Sequence, residues 1–324
     1  MGEQLRDILF GSDFFAWAER TQSASVLNKE TTLIEEGSKG KELLILVEGS
    51  ANVTSEQRDG EALEIAALDA PALFGEMSFL QGRATVASVM GSTGSRWLRI
   101  PFENLRKAIG SDPELAADFY NVLARKLSLQ LQSQNAMVHR WASSEIEPLR
   151  KVLLVFAELN DLDIDWMSRH GNVMNYQQGE SFIEQGQQLN QIWVVLTGEA
   201  KIVLVTSNHE EEVGSSRRGE LLGEMALLNK DGVATARVVA QNSMQLLALP
   251  HEPLIKRMAT DSAFRERFQR ALAMLLSHRC RDQLMRHGLA SRAAANEAIS
   301  FDTLENISQA GRRFDWLCRQ LATA

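Results

Sequence analysis

Apolar and polar residues change rhythm along this chain in a fixed order, and the order runs through twice. The first stretch, LRDILF…FFAWAER, reads as a short helical opening. Short runs that alternate apolar with polar residues follow: ELLILVEGSANVTSE, ALEIAAL and SRWLRIP. Alternation of period two turns one face of a strand to a core and the other to water. Gly and Asp break these runs at close intervals, which predicts an antiparallel sandwich or barrel. A helical stretch closes the cycle, with Leu115, Phe119, Val122, Leu123 and Leu127 at helical spacing. The cycle restarts at EPLRKVLLVFAELNDLDIDWMSRHG, alternates through QIWVVLTGEAKIVLV and MQLLALP, and closes on Phe264, Phe268, Leu272 and Leu275.

The two cycles are copies of one another. LIEEGSKGKELLILVEGSANV (33–53) recurs as FIEQGQQLNQIWVVLTGEAKI (182–202), so Gly37 matches Gly186 at a separation of 149 (186 minus 37). The same offset pairs Trp17 with Trp166, Gly49 with Gly198, Ala87 with Ala236, Pro101 with Pro250 and Leu123 with Leu272. It slips by one only around a central motif, where Gly75-Glu76-Met77 matches Gly223-Glu224-Met225. A register held from Trp17 to Leu123 predicts two domains of one fold, residues 1–140 and 141–288, with a helical tail at 289–324. A solenoid needs shorter and more numerous units. The join near WASSEIEP is short and polar, and Pro148 suits the first turn of the next helix.

Composition narrows the function classes. A chain of 324 residues with 44% hydrophobic residues has ample material for two cores. Its net charge of -8 repels a phosphate backbone, so nucleic acid is not an expected partner. The two cysteines, Cys280 and Cys318, fit a reducing cytosol and exclude a disulfide framework. The N-terminal MGEQLRDILFG has no basic region of the secretory kind, and Arg6 stands where a myristoylation signal takes Ser or Thr. No apolar run approaches a membrane span, so no transmembrane segment and a cytoplasmic location are expected. The six histidines are scattered singly, without the H-x-H pair of a metal-dependent barrel enzyme. No nucleophile elbow, P-loop or kinase signature occurs. The expectation is a protein without a metal and without catalytic residues.

The order of helical opening, Gly-punctuated strands, a FGEM-type motif, a strand ending in L-x-[IL]-P and closing helices resembles the cyclic-nucleotide-binding domain. This is the eight-stranded barrel of the bacterial cyclic-AMP receptor and the protein kinase A regulatory subunit, and the resemblance covers about residues 10–288. It implies a mainly β fold with flanking helices: two tandem double-stranded β-helix (jelly-roll) barrels. LFGEMSFLQGRATVASV (73–89) and LGEMALLNKDGVATARVV (222–239) are similar to the family's phosphate-binding cassette.

The resemblance implies a cyclic-nucleotide ligand, cAMP or cGMP. Its site residues would be Gly75, Glu76, Met77, Ser78, Arg83, Thr85, Ala87 and Ser88 in the first copy, and Gly223, Glu224, Met225, Ala226, Thr235 and Ala236 in the second. Backbone N–H groups of the turn after Gly75 or Gly223 would face the anion. Glu76 and Glu224 would accept from the ribose 2′-hydroxyl, or else each simply caps its short turn. The family places an arginine two residues before the Ala at Ala87 and Ala236, to fork onto the phosphate. Here those positions are Thr85 and Ala234. Arg83 lies two residues early with the same strand parity, and Arg237 lies one residue past the Ala with the opposite parity. Both cassettes therefore depart from the pattern, and the first keeps more hydroxyls.

Two surface features remain open. The tail, with Phe301, Leu304, Ile307, Phe314, Leu317 and Leu321, either docks on the second domain or meets a partner helix. Residues 265–292 hold seven arginines and two acids, either a solvated face or a dock for an acidic partner or a membrane surface. Together these readings describe a non-catalytic regulatory or sensory protein that acts through a protein partner or by self-association. The alternative is a ligand-free adaptor that keeps the barrels as an interaction scaffold.

Overall fold

The alternating runs form strands, and every strand pairing is antiparallel. The structure is a computed structural model, and it describes residues 2–56, 62–136, 154–206, 209–286 and 301–322. The polar join at WASSEIEP with Pro148, residues 289–300 of the tail and Arg292 lie outside these.

Two units share the chain. The main run of the first ends at Gln134, and it also takes in the helical residues from Leu276 onward. The main run of the second ends at Leu275, and it regains the helix Phe301–Ala322.

In the first unit, helices Gly2–Phe10 and Asp13–Thr21 lead into eight strands. One four-stranded sheet orders Ser25–Val26, Arg96–Pro101, Glu42–Glu48 and Ala72–Phe74 side by side. The other orders Thr31–Ile34, Ser88–Gly91, Ser50–Glu56 and Ala62–Asp69. Leu44, Leu46, Phe74 and Trp97 from one sheet pack with Ala51 and Val89 from the other, which makes a jelly-roll core. Leu43 and Ile45, on the opposite face of the same strand, are also fully buried, so Glu42–Glu48 is covered on both sides.

The second unit repeats this plan. Its sheets order Leu221–Leu222, Gln191–Thr197, Met244–Pro250 and Asn172–Tyr176, and Ser181–Ile183, Arg237–Ala240, Glu199–Val205 and Glu210–Arg217. Trp193, Val195, Leu222 and Leu246 pack with Ala200, Val238 and Ala240 in its core. Glu42–Glu48 and Gln191–Thr197 stand one repeat apart at both ends, as do Ser50–Glu56 and Glu199–Val205. The repeat seen in the letters is thus a repeat of strands.

Helices close each unit. Phe102–Ser111 and Pro113–Ala136 follow the first barrel, and His251–Thr260 and Ser262–Arg286 follow the second. Phe119 of the first closing helix meets Phe14 of the opening helix at 4.9 Å and Phe79 at 5.4 Å between ring centroids. Helix Asp161–His170 starts with a capping box between Asn160 and Asp163, which satisfies its first amides. The tail helix Phe301–Ala322 packs on helices Leu154–Glu158 and Asp161–His170, with Phe314 and Leu317 buried. Arg313 anchors it by donating to Asp161 at 2.9 Å and to the Phe156 carbonyl at 3.1 Å. No helix among the described residues is long and apolar enough to cross a membrane.

Candidate functional site

Both cassettes begin with a glycine that its position requires. Gly75 has φ +88° and Gly223 has φ +81°, in the left-handed region that side-chain-bearing residues rarely adopt. A Cβ on Gly75 would lie 2.5 Å from the Glu42 carbonyl oxygen, and one on Gly223 would lie 3.0 Å from the Trp193 ring. The chain therefore turns sharply off the strand into the short helices Glu76–Gln81 and Glu224–Leu228. Glu76, Met77 and Ser78 are buried there, as are Glu224, Met225 and Ala226.

The loops that follow share one hydrogen-bond register. Gly37 N–H donates to the Thr85 carbonyl and Gly186 N–H to the Ala234 carbonyl, both at 2.9 Å. Thr85 N–H donates to the Ser38 carbonyl at 2.9 Å, and Ala234 N–H to the Gln187 carbonyl at 2.8 Å. Isolated bridges Lys39↔Ala84 and Gln188↔Val233 complete the match. The backbone thus places Thr85 and Ala234, where the sequence resemblance expects an arginine, equivalently in the two copies.

The side chains are not equivalent. In the first copy Lys126 of the closing helix donates to Glu76 Oε1 at 2.5 Å and to Gln130 Oε1 at 2.6 Å. Glu76 is only 4% exposed, so this ion pair is largely withdrawn from water. Thr85 is also buried, and its hydroxyl donates to the Glu35 carbonyl at 2.5 Å, which ties down the 35–38 turn. The Ser88 hydroxyl accepts from Glu36 N–H at 2.9 Å. Arg83 and Ala87 are half-buried on the loop between helix Glu76–Gln81 and strand Ser88–Gly91.

In the second copy Glu224 is 1% exposed, and the repeat position of Lys126 is Leu275, itself buried. Thr235 donates to the Met225 sulfur at 3.8 Å, and Ala236 is buried. Arg237 lies on the strand face opposite to Val238 and Ala240, which enter the core, and it pairs with Glu210 at 2.5 Å. Parity read from the sequence thus matches the direction of Arg237.

Sequence reasoning missed Lys126. The signal was a pair of cations, Arg125 and Lys126, between Leu123 and Leu127 of an apolar helical stretch, replaced by Met274 and Leu275 one repeat later. It also missed the use of the arginine run. Arg267 clamps Asp163 through Nε at 2.7 Å and Nη2 at 3.0 Å, and Arg270 pairs with Glu158 at 2.5 Å. These side chains are partners within the second unit rather than a bare solvated face.

The first cassette can accept hydrogen bonds at a buried carboxylate that answers to a closing helix. Among the described residues no group of His, Cys, Asp and Glu is arranged to hold a metal ion.

Known proteins agree with this architecture. A family model described as "Cyclic nucleotide-binding domain" matches residues 25–112 and again 173–261, together more than half of the chain. The cGMP-dependent protein kinase egl-4 of Caenorhabditis briggsae is 24% identical over 269 residues, 78% of this chain and 31% of that protein. Cyclic GMP-binding protein C of Dictyostelium discoideum is 28% identical over 120 residues, 36% of this chain and 4% of that protein. The chain thus spans under a third of the length of either curated relative. Among solved structures, the regulatory domain of Toxoplasma gondii PKA with cAMP is 19% identical, with a TM-score of 0.31, over 80% of this chain and 93% of that one. With two matched copies covering most of both barrels, the chain belongs to the cyclic nucleotide-binding domain family and carries the domain in tandem.

Proposed function

We propose that the protein is a non-catalytic regulator whose first domain senses a cyclic nucleotide and whose closing helices pass the response to a protein partner. The Lys126–Glu76 ion pair carries this reading. Glu76 holds the position that the family resemblance gives to the ribose contact, and its oxygen is engaged by an ammonium from helix Pro113–Ala136. A ribose hydroxyl donating to Glu76 competes with Lys126 for that carboxylate. Ligand binding and the seating of the closing helix are then linked through one side chain, and a ligand shifts an equilibrium only by such a difference between states. The names of the relatives, which bind or respond to cGMP, support a cyclic purine nucleotide as the ligand class.

The second domain suits the adaptor reading better. Leu275 stands where Lys126 stands in the first copy, and Ala234 brings neither charge nor hydroxyl to the cassette. It keeps the barrel as a scaffold on which the tail helix docks. Calorimetric titration of the full chain with cAMP and cGMP tests both statements. One site per chain is expected. Two equal sites would defeat the division of labour, and none with either nucleotide would defeat the sensor.

A further inference from the structure

The last turns of helix Ser262–Arg286 belong to the first unit, where they touch the first cassette at two points and the closing helix Pro113–Ala136 at a third. Gln81, at the end of the cassette helix, donates to Ser277 Oγ at 2.7 Å. Arg281 Nη2 donates to the carbonyl of Ala84, the residue before Thr85, at 3.0 Å. Cys280 Sγ donates to the Leu127 carbonyl at 3.4 Å, one residue along the closing helix from Lys126. Ser277 and Cys280 are fully buried and Arg281 is 3% exposed. The Gln81 and Ala84 contacts bracket the loop that leads from the cassette helix to Thr85, and the Cys280 contact ties the same turns to the closing helix beside Lys126.

A guanidinium is an expensive choice for a contact that serves packing alone, because an apolar side chain of similar volume often holds a buried site at least as well. What a polar contact offers is reversibility: when it opens, water solvates the freed groups and offsets part of the loss. Burial also pushes the Cys280 thiol up to about 12, so it stays protonated and unreactive while the contact is closed.

We propose that residues 276–286 form an internal latch on the first cassette, held by Ser277, Cys280 and Arg281, which a cyclic nucleotide must displace in order to bind. The latch rests on the sensor reading for its competitor, while its own closure is measurable without any nucleotide. By linkage, whatever opens the latch tightens nucleotide binding by the same factor. The latch also places a cation beside the cassette, and the sign of the Arg281 effect separates a latch from a ligand contact.

The chain has two cysteines, so Cys318→Ser leaves Cys280 as the sole thiol. The test follows the rate at which a disulfide reagent modifies this 324-residue protein at mildly alkaline pH. Arg281→Gln and Ser277→Ala should each accelerate modification, by roughly tenfold for an opening of about 1.4 kcal/mol, while Arg281→Lys should do so less. Circular dichroism melts identify any variant that reacts because it has unfolded. Saturating cAMP or cGMP should accelerate modification of the Cys318→Ser protein, and Arg281→Gln should bind that nucleotide more tightly. Unchanged Cys280 reactivity in folded Arg281→Gln overturns the latch. So does weaker nucleotide binding in that variant, which would make Arg281 a ligand contact. If no variant binds either nucleotide, the sensor reading fails, and the thiol rates still decide whether the contact opens.

Discussion

Lys126 donates to Glu76 across 2.5 Å, and the residue that repeats Lys126 in the second domain is Leu275. Two cassettes with one backbone register therefore differ at the position that pairs with Glu76, and the difference sits on a helix outside the motif. Lys126→Met leaves the Glu76 carboxylate buried without its ammonium. Removing one member of a buried pair costs about 3–5 kcal/mol. The double variant Lys126→Met, Glu76→Gln removes the stranded charge and should lose less than the sum of the single changes. Urea unfolding of the four members of this cycle measures the coupling. A coupling near zero would mean that the pair does not fasten the closing helix.

Asp163 is the second buried charge with a defined task. It is 0% exposed, accepts from Arg257 at 2.7 Å and from Arg267 at 2.7 and 3.0 Å, and also caps its own helix through Asn160 N–H. Its repeat position is Phe14, whose N–H donates to Asp118 at 2.8 Å, and the repeat position of Asp118 is Arg267. The same junction of opening and closing helices thus uses acid on the closing side in one domain and acid on the opening side in the other. Asp163→Asn should destabilise the second domain by about 3–5 kcal/mol. Asp161→Asn breaks a pair with Arg313 whose acid is exposed, and should cost less than about 1 kcal/mol. Equal losses in thermal or urea unfolding would refute the distinction.

These junctions mark the limit of what the letters showed. Strands Glu42–Glu48 and Gln191–Thr197 were legible because short apolar runs bounded by turn glycines are local signals, although both strands are buried on both faces and do not alternate. Gly75 and Gly223 were legible because the left-handed turn they make restricts the residue type. Lys126 meets Glu76 across 50 residues and Arg281 meets Ala84 across 197, and no local pattern encodes either meeting. Arginines 267 and 270 looked like a solvated run because their acids, Asp163 and Glu158, lie about a hundred positions upstream.

His251 gives the second domain an acid sensitivity of known sign. It opens helix His251–Thr260, and burial holds its imidazole below the ordinary histidine value, although a backbone contact at Gln191 opposes this. A depressed folded pKa means that the unfolded chain takes up the proton first. Stability from the neutral ring is present above the unfolded value of about 6.5. It is lost as pH falls from there through the lowered folded value. His251→Gln should flatten the fall in urea midpoint between about pH 7 and 5 relative to the parent. The same slope in both proteins would remove His251 from the account.

The cassette glutamates separate sensing from scaffolding. Glu76 and Glu224 occupy the same turn after Gly75 and Gly223, so a role in shaping that turn predicts equal consequences for Glu76→Gln and Glu224→Gln. A ligand role in the first domain alone predicts unequal ones. A charge-assisted hydrogen bond to a ribose hydroxyl is worth roughly 1.5–3 kcal/mol, so Glu76→Gln should weaken cyclic-nucleotide binding about ten- to a hundredfold. Glu224→Gln should leave it unchanged. The parent affinity should itself be modest, because Thr85 stands at the arginine position with its hydroxyl committed to the Glu35 carbonyl. Pairing a buried phosphate without that cation forfeits roughly 3–5 kcal/mol, which moves micromolar binding toward millimolar. Calorimetry on the three proteins decides the matter. Equal loss in both variants would return each glutamate to turn-shaping, and micromolar binding by the parent would show that another cation pairs with the phosphate.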